Sequence, residues 1–189
     1  GYFKTAWSGE NIKSEMGKIQ VTKTDSGIAW GAVYWQYFED LDKITPHETP
    51  ISIKKQLFVE RQSPTGPRME PIGDNAILKV GDKVKVRIEI RVDRDMDYVH
   101  MKDMRASGFE PTNVFSGYKY QDGLGYYEST RDAATNFFFS YLNKGTYVFE
   151  YPLVVNHYGD FSNGITSIQC MYAPEFTSHS EGIRVKVSK

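Results

Sequence analysis

From Lys83 to Val92 the chain alternates without a break. Val84, Val86, Ile88, Ile90 and Val92 share one face, and Lys83, Lys85, Arg87, Glu89 and Arg91 share the other. Period two places successive side chains on opposite faces of a pleated strand, so this segment predicts an antiparallel strand with one buried and one wet face. Gly81-Asp82 is its opening turn. The same pattern closes the chain, where Ile183, Val185 and Val187 oppose Arg184 and Lys186. After Gly145, a further strand sets Tyr147, Phe149, Tyr151, Leu153 and Val155 on one face. Pro152 on its other face lacks a donor, which predicts an edge position or a bulge.

Shorter runs predict strands over 17–23, 30–38, 51–60, 97–103, 126–130, 135–141 and 165–172, most of them separated by Gly, Asn, Asp or Pro. Helical periodicity is confined to single turns, at Glu10 to Met16 and Glu39 to Ile44, too short to stand alone. Gln62 to Asn75 holds Pro64, Gly66, Pro67, Pro71 and Gly73 and predicts a long Pro-rich loop. The expected fold is all-β: an antiparallel two-sheet β-sandwich of immunoglobulin-like architecture, with one or two short helical turns. Residues 1–25 read as an N-terminal extension or linker strand, and 26–189 as the sandwich domain.

The 189 residues are enough to bury a core without staples. The net charge of -1 gives no field to draw the chain to nucleic acid. No run has the length of a membrane-spanning helix. The single cysteine, Cys170, forms no internal disulfide and leaves the compartment open. The chain begins at Gly1 without Met, as a piece of a longer exported protein would.

Chemical motifs are weak. Asp93, Asp95 and Asp97 have the alternate spacing that opens a calcium loop, but Tyr98 and Met104 stand where such a loop needs Gly and Glu. His47, His100, His157 and His179 show no metal-ligand spacing, and Ser178-His179-Ser180 is adjacency rather than a triad. Gly123 and Gly125 lack the third glycine and the following helix of a dinucleotide site, and read as a turn between strands. Cys170 shares a strand face with Ile168 and reads as a core residue. No metal and no cofactor is expected. Two aromatic groups remain open. In 30–38, Tyr34, Trp35 and Tyr37 belong either to a strand buried on both faces or to a face meeting a neighbouring domain. Tyr118, Tyr120, Tyr126 and Tyr127 flank the Gly123 turn, where they either line a rim or stack on sugar rings.

Several segments, taken in order, resemble the last macroglobulin-type domain of bacterial alpha-2-macroglobulins. They are Val80-Gly81-Asp82, Arg94-Asp95-Met96-Asp97-Tyr98-Val99, Gly108-Phe109-Glu110-Pro111, Thr135-Asn136-Phe137-Phe138-Phe139, Lys144-Gly145-Thr146-Tyr147, Gly159-Asp160-Phe161 and Cys170-Met171-Tyr172-Ala173-Pro174-Glu175-Phe176. Their shared order and spacing carry the resemblance, which covers about 76–189 well; Gly31-Ala32-Val33-Tyr34-Trp35-Gln36-Tyr37 also looks like the family.

The resemblance implies a domain of a large envelope-associated protease trap. Such a parent is exported to the periplasm or cell envelope and anchored in the membrane through a part outside this chain, with target proteases among its partners. Many relatives carry a thioester in a separate helical domain, formed by a Cys-x-x-Gln-type segment. Cys170 is followed by Met171-Tyr172-Ala173, so it does not match that segment. Met171 and Tyr172 match the positions at which the last domain covers the thioester domain. Alternation turns Cys170 inward, Met171 outward and Tyr172 inward.

The chain is therefore expected to be no enzyme. It is read as a module that packs against neighbouring domains, with no nucleic-acid partner and no direct membrane insertion. A carbohydrate-binding module built on the Gly123 tyrosines is the first rival, and a hydrolase using His157 or His179 the second.

Overall fold

The structure, a computed structural model, describes residues 2–73 and 76–189. The chain divides into two units, Gly1–Tyr37 and Phe38–Lys189. In the first, the described residues form only two 3-10 turns, Gly9–Asn11 and Ser14–Gly17, and nearly all are exposed. No strand forms over 17–23 or 30–38. A strand needs a neighbour to pair its backbone groups, and neither segment lies in a ladder. Tyr34, Trp35 and Tyr37 accordingly stand exposed on irregular chain, which excludes the buried-strand reading.

The second unit is the sandwich. Its strands are β1 (Ile51–Ser63), β2 (Gly66–Pro71), β3 (Ile77–Lys79), β4 (Lys83–Val92), β5 (Met96–Met104), β6 (Phe109–Pro111), β7 (Gly117–Gln121), β8 (Leu124–Thr130), β9 (Ala134–Leu142), β10 (Gly145–Val155), β11 (Gly159–Gly164), β12 (Thr166–Cys170), β13 (Thr177–His179) and β14 (Ile183–Ser188). One sheet runs β2-β1-β4-β10-β6 and the other β13-β12-β5-β9-β8-β7; a small third sheet, β11-β14-β3, joins its last strand in parallel.

The alternation of β4 behaves as its sequence predicts. Val84, Val86, Ile88, Ile90 and Val92 are buried between β1 and β10, and the lysines and arginines face out. The two large sheets meet through aromatic rings. Phe149 of β10 lies 5.1 Å from Tyr126, 5.5 Å from Phe139 and 6.0 Å from Phe137, measured between centroids. These near-perpendicular contacts suit the ring quadrupole. Tyr126 is thus a core residue and leaves the sugar-stacking group.

The Pro-rich segment corrects the sequence reading. β1 continues to Ser63, turns at Pro64-Thr65, and returns as β2 in register from Ser63↔Gly66 to Phe58↔Pro71. Pro67 and Pro71 are tolerated because β2 is the sheet edge, paired on one side only. The expected end of that loop, Asn75, lies outside the described residues. Pro152 follows the edge rule too, since β6 covers β10 only from Leu153 onward. Asp122 and Gly123, with φ of 52° and 79°, close the two-residue β7–β8 hairpin, for which Asp-Gly is favoured.

Candidate functional site

β12 ends at Cys170, and the chain turns over 171–176 before β13. Three hydrogen bonds hold that turn: Cys170 N–H to Phe176 O at 3.1 Å, Phe176 N–H to Ala173 O at 2.9 Å, and Thr177 Oγ1 to Pro174 O at 2.7 Å. Cys170 points inward as expected, and its thiol donates to Asp97 O at 3.4 Å. The Phe176 ring closes the turn from below the Arg94 guanidinium, 5.2 Å away.

Met171 and Tyr172 sit at the start of this turn, 55% and 81% exposed. The inward direction expected for Tyr172 is not realised. Alternation governs a side chain only while the strand lasts, and β12 stops two residues earlier. Tyr172 instead meets Tyr98 edge-on, with centroids 5.3 Å apart and planes at 87°. Met171 N–H donates to Tyr98 O at 2.9 Å. Tyr98 itself has φ of 52°, a left-handed backbone that bulky residues rarely adopt. It sits where β5 breaks step: Met96 and Val99 are both buried, while Asp97 and Tyr98 between them are both exposed. The sequence reading did not single out Tyr98; no alternation pattern announces an irregular residue inside a strand.

Several of the remaining polar candidates are engaged in holding the structure. Asp93 pairs with Arg94 at 2.9 Å. Asp95 accepts from Lys144 N–H at 2.7 Å and Tyr141 OH at 3.0 Å, and these bonds hold its carboxyl below the usual range. Ser178 Oγ donates to Ile51 O and accepts from Thr49 N–H at 2.9 Å, so it is wholly engaged in joining β13 to β1. His179 meets His47 across an isolated bridge, with ring centroids 5.7 Å apart. Among the described residues no three His, Cys, Asp or Glu side chains converge as metal ligands. No described helix is long and apolar enough to cross a membrane.

The polar feature that sequence reasoning missed lies between the sheets. Lys55, Asp103, Tyr151 and Thr166 form a buried cluster there, contributed by β1, β5, β10 and β12. Lys55 occupies an inward position of β1 between Ile53 and Leu57. A lysine written among strand residues carries no sign that its partner waits on the opposite sheet.

The comparisons with known proteins agree with this architecture. A family model, the bacterial alpha-2-macroglobulin MG10 domain, matches residues 51–175. No curated protein matches the chain. Among solved structures, a mutant Salmonella alpha-2-macroglobulin matches 77% of this chain over 10% of its own length, at 18% identity and a TM-score of 0.59. Escherichia coli alpha-2-macroglobulin activated by porcine elastase matches 77% of this chain over 14% of its own, at 12% identity and a TM-score of 0.60. The native Escherichia coli protein spanning domain MG7 to the C-terminus matches 76% of this chain over 24% of its own, at 11% identity and a TM-score of 0.58. At these identities the solved structures speak for the fold, and the chain spans a quarter or less of each. The family match covers well over half of the residues, all of them in the sandwich unit, and the chain belongs to the bacterial alpha-2-macroglobulin MG10 domain family.

Proposed function

We propose that this chain is a non-catalytic module of a bacterial protease trap, and that it packs against and shields a thioester-type domain of its parent protein. The observation that carries the reading is the pair Met171 and Tyr172, held exposed on a turn anchored by backbone hydrogen bonds and by Tyr98. A thioester survives only where water is kept away, so its cover must be apolar and removable. Methionine supplies adaptable bulk and tyrosine a ring with a polar tip. Side chains that are exposed in the module and buried in the parent meet both needs. Tyr34, Trp35 and Tyr37 offer a second aromatic contact for a neighbouring domain. Export to the periplasm or envelope, and attachment there through other parts of the parent, complete the reading.

The test is made in the parent. Met171→Ala with Tyr172→Ala should speed spontaneous loss of the thioester, read as faster amine incorporation before any protease is added. Wild-type kinetics in the double variant would remove the shielding role. Turnover of ester, peptide or glycan substrates by the chain would defeat the non-catalytic reading.

A further inference from the structure

The two outer faces of the sandwich differ in chemistry. On the five-stranded sheet charge runs through the outward face: Lys54 opposes Glu89, Glu150 reaches Lys85 at 3.2 Å and Arg87 at 2.6 Å, and the outward Phe58 ring lies under the Arg87 guanidinium at 4.7 Å. Such a face is at ease in water. On the six-stranded sheet, direct cross-strand partners form one outward row, Tyr118–Tyr127–Phe138–His100, across β7, β8, β9 and β5. Direct partners share a face, and the residues beside them, Tyr126, Phe137, Val99 and Met101, are buried on the other. The row spans about 14 Å at the ordinary strand spacing. Tyr118 is 87% exposed and Phe138 45%. Exposed aromatic surface of this kind, poor in charge, resembles the centre of a protein interface rather than a solvated sheet.

We propose that this aromatic row is a docking surface for a neighbouring domain of the parent chain, continuous with Met171 and Tyr172. The inference rests on the reading of the chain as a module of a larger trap. Register supplies the continuity. Beside His100 on β5, Tyr98 is the next outward residue, and its carbonyl takes the hydrogen bond from Met171. One surface therefore runs from the turn at 171 to β7. The solved relatives are four to ten times longer than the part this chain matches, so neighbours exist in such chains to cover it.

Ring geometry chooses a protein partner over a glycan. His100 and Phe138 are stacked at 4.8 Å and 19°, so each turns its face to the other. Tyr118 meets Tyr127 at 75°, edge to face. Rings paired across strands in this way leave no flat, coplanar platform for sugar rings, but they present edges and hydroxyls that side chains of a second domain can interleave.

The experiment is tyrosine and phenylalanine footprinting by hydroxyl radicals on the full parent, each residue normalised to the urea-unfolded parent. A covered row predicts roughly fivefold or greater protection of Tyr118 and Phe138, as expected of an interface core. Tyr127→Ser with Phe138→Ser should restore Tyr118 to nearly its unfolded rate. Labelling of wild-type Tyr118 near the unfolded rate would overturn the proposal. So would retardation of the parent on polysaccharide gels that Tyr118→Ala abolishes, since that makes the occupant a sugar. The footprint needs no thioester. Unchanged amine incorporation in the Met171 and Tyr172 variant therefore sinks the shielding role alone, and an unprotected row sinks this one alone.

Discussion

Lys55 Nζ lies 2.7 Å from Asp103 Oδ1, across the gap between the two sheets, and neither side chain reaches solvent. Lys55 also donates to Met104 O at 2.6 Å. Thr166 Oγ1 donates to the same carboxylate at 2.6 Å, and Tyr151 OH donates to its other oxygen. Burying two charges is costly, and this cluster offsets the cost by satisfying nearly every polar atom. Removing one partner leaves the other stranded. Asp103→Ala or Lys55→Ala should each cost about 3–5 kcal/mol in denaturant unfolding. Lys55→Met combined with Asp103→Leu should recover most of that loss. Single variants no less stable than the double variant would show that the pair is not coupled.

Alkaline pH should unfold the domain through two tyrosines. Burial, with a smaller contribution from the Glu128 charge, pushes Tyr126 from 10.0 up to about 12. Burial, then the Asp103 charge and hydrogen bond, holds Tyr151 well above the usual phenol range. Both folded values are raised, so the folded state keeps protons that the unfolded chain releases above pH 10. Stability present below 10 is lost as pH climbs through the folded values. Lys55 acts in the opposite sense: desolvation lowers it despite the attraction of Asp103, so its contribution is complete only above its ordinary 10.5 and is lost as pH falls through the folded value. Tyr126→Phe should flatten the decline between pH 10 and 12 in equilibrium unfolding. An identical decline in the variant would place the titration elsewhere.

Tyr98 separates backbone strain from side-chain contact. A left-handed backbone costs an L-residue about 1–2 kcal/mol, and glycine escapes it. Tyr98→Ala loses the contact with Tyr172 and keeps the strain. Tyr98→Gly loses the same contact and sheds the strain. The glycine variant should therefore be the more stable of the two by about 1 kcal/mol, the reverse of the usual order inside a strand. An alanine variant at least as stable as the glycine one would contradict the strain.

Gly182 secures the start of the sandwich unit. Its N–H donates to Ile44 O at 2.9 Å, and a Cβ there would stand 1.9 Å from Leu41 O and 2.6 Å from Asp42 Cα. Both obstacles are backbone, so neither yields by a rotamer change. Gly182→Ala should cost about 1–3 kcal/mol and release the turn at 41–44. Limited proteolysis should then cut faster at Lys43, and unchanged cleavage would contradict the clash.

How far the fold was legible follows from what each segment shows locally. The faces of β4 and a turn around Gly123 are written in adjacent residues, and the sequence reading found both. The β1–β2 hairpin was hidden because Pro64, Pro67 and Pro71 signal a loop when edge pairing is unknown. The run 30–38 failed for the converse reason: it has strand-forming residues and no partner edge. At the candidate site, alternation placed Cys170 and Met171 correctly and Tyr172 wrongly, because the strand was expected to run to 172 and ends at Cys170. Lys55 and Asp103 became a pair only when two sheets were laid face to face. The Met171-Tyr172 positions themselves came from family resemblance, and no periodicity would have selected them.

The most direct measurement puts a photo-crosslinking residue in the proposed contact. In the full parent, Tyr172→p-benzoylphenylalanine should crosslink on irradiation to a peptide of the thioester-type domain. The yield should fall once a protease has sprung the trap. Crosslinks confined to residues 38–189, or none at all in the unreacted parent, would contradict the account.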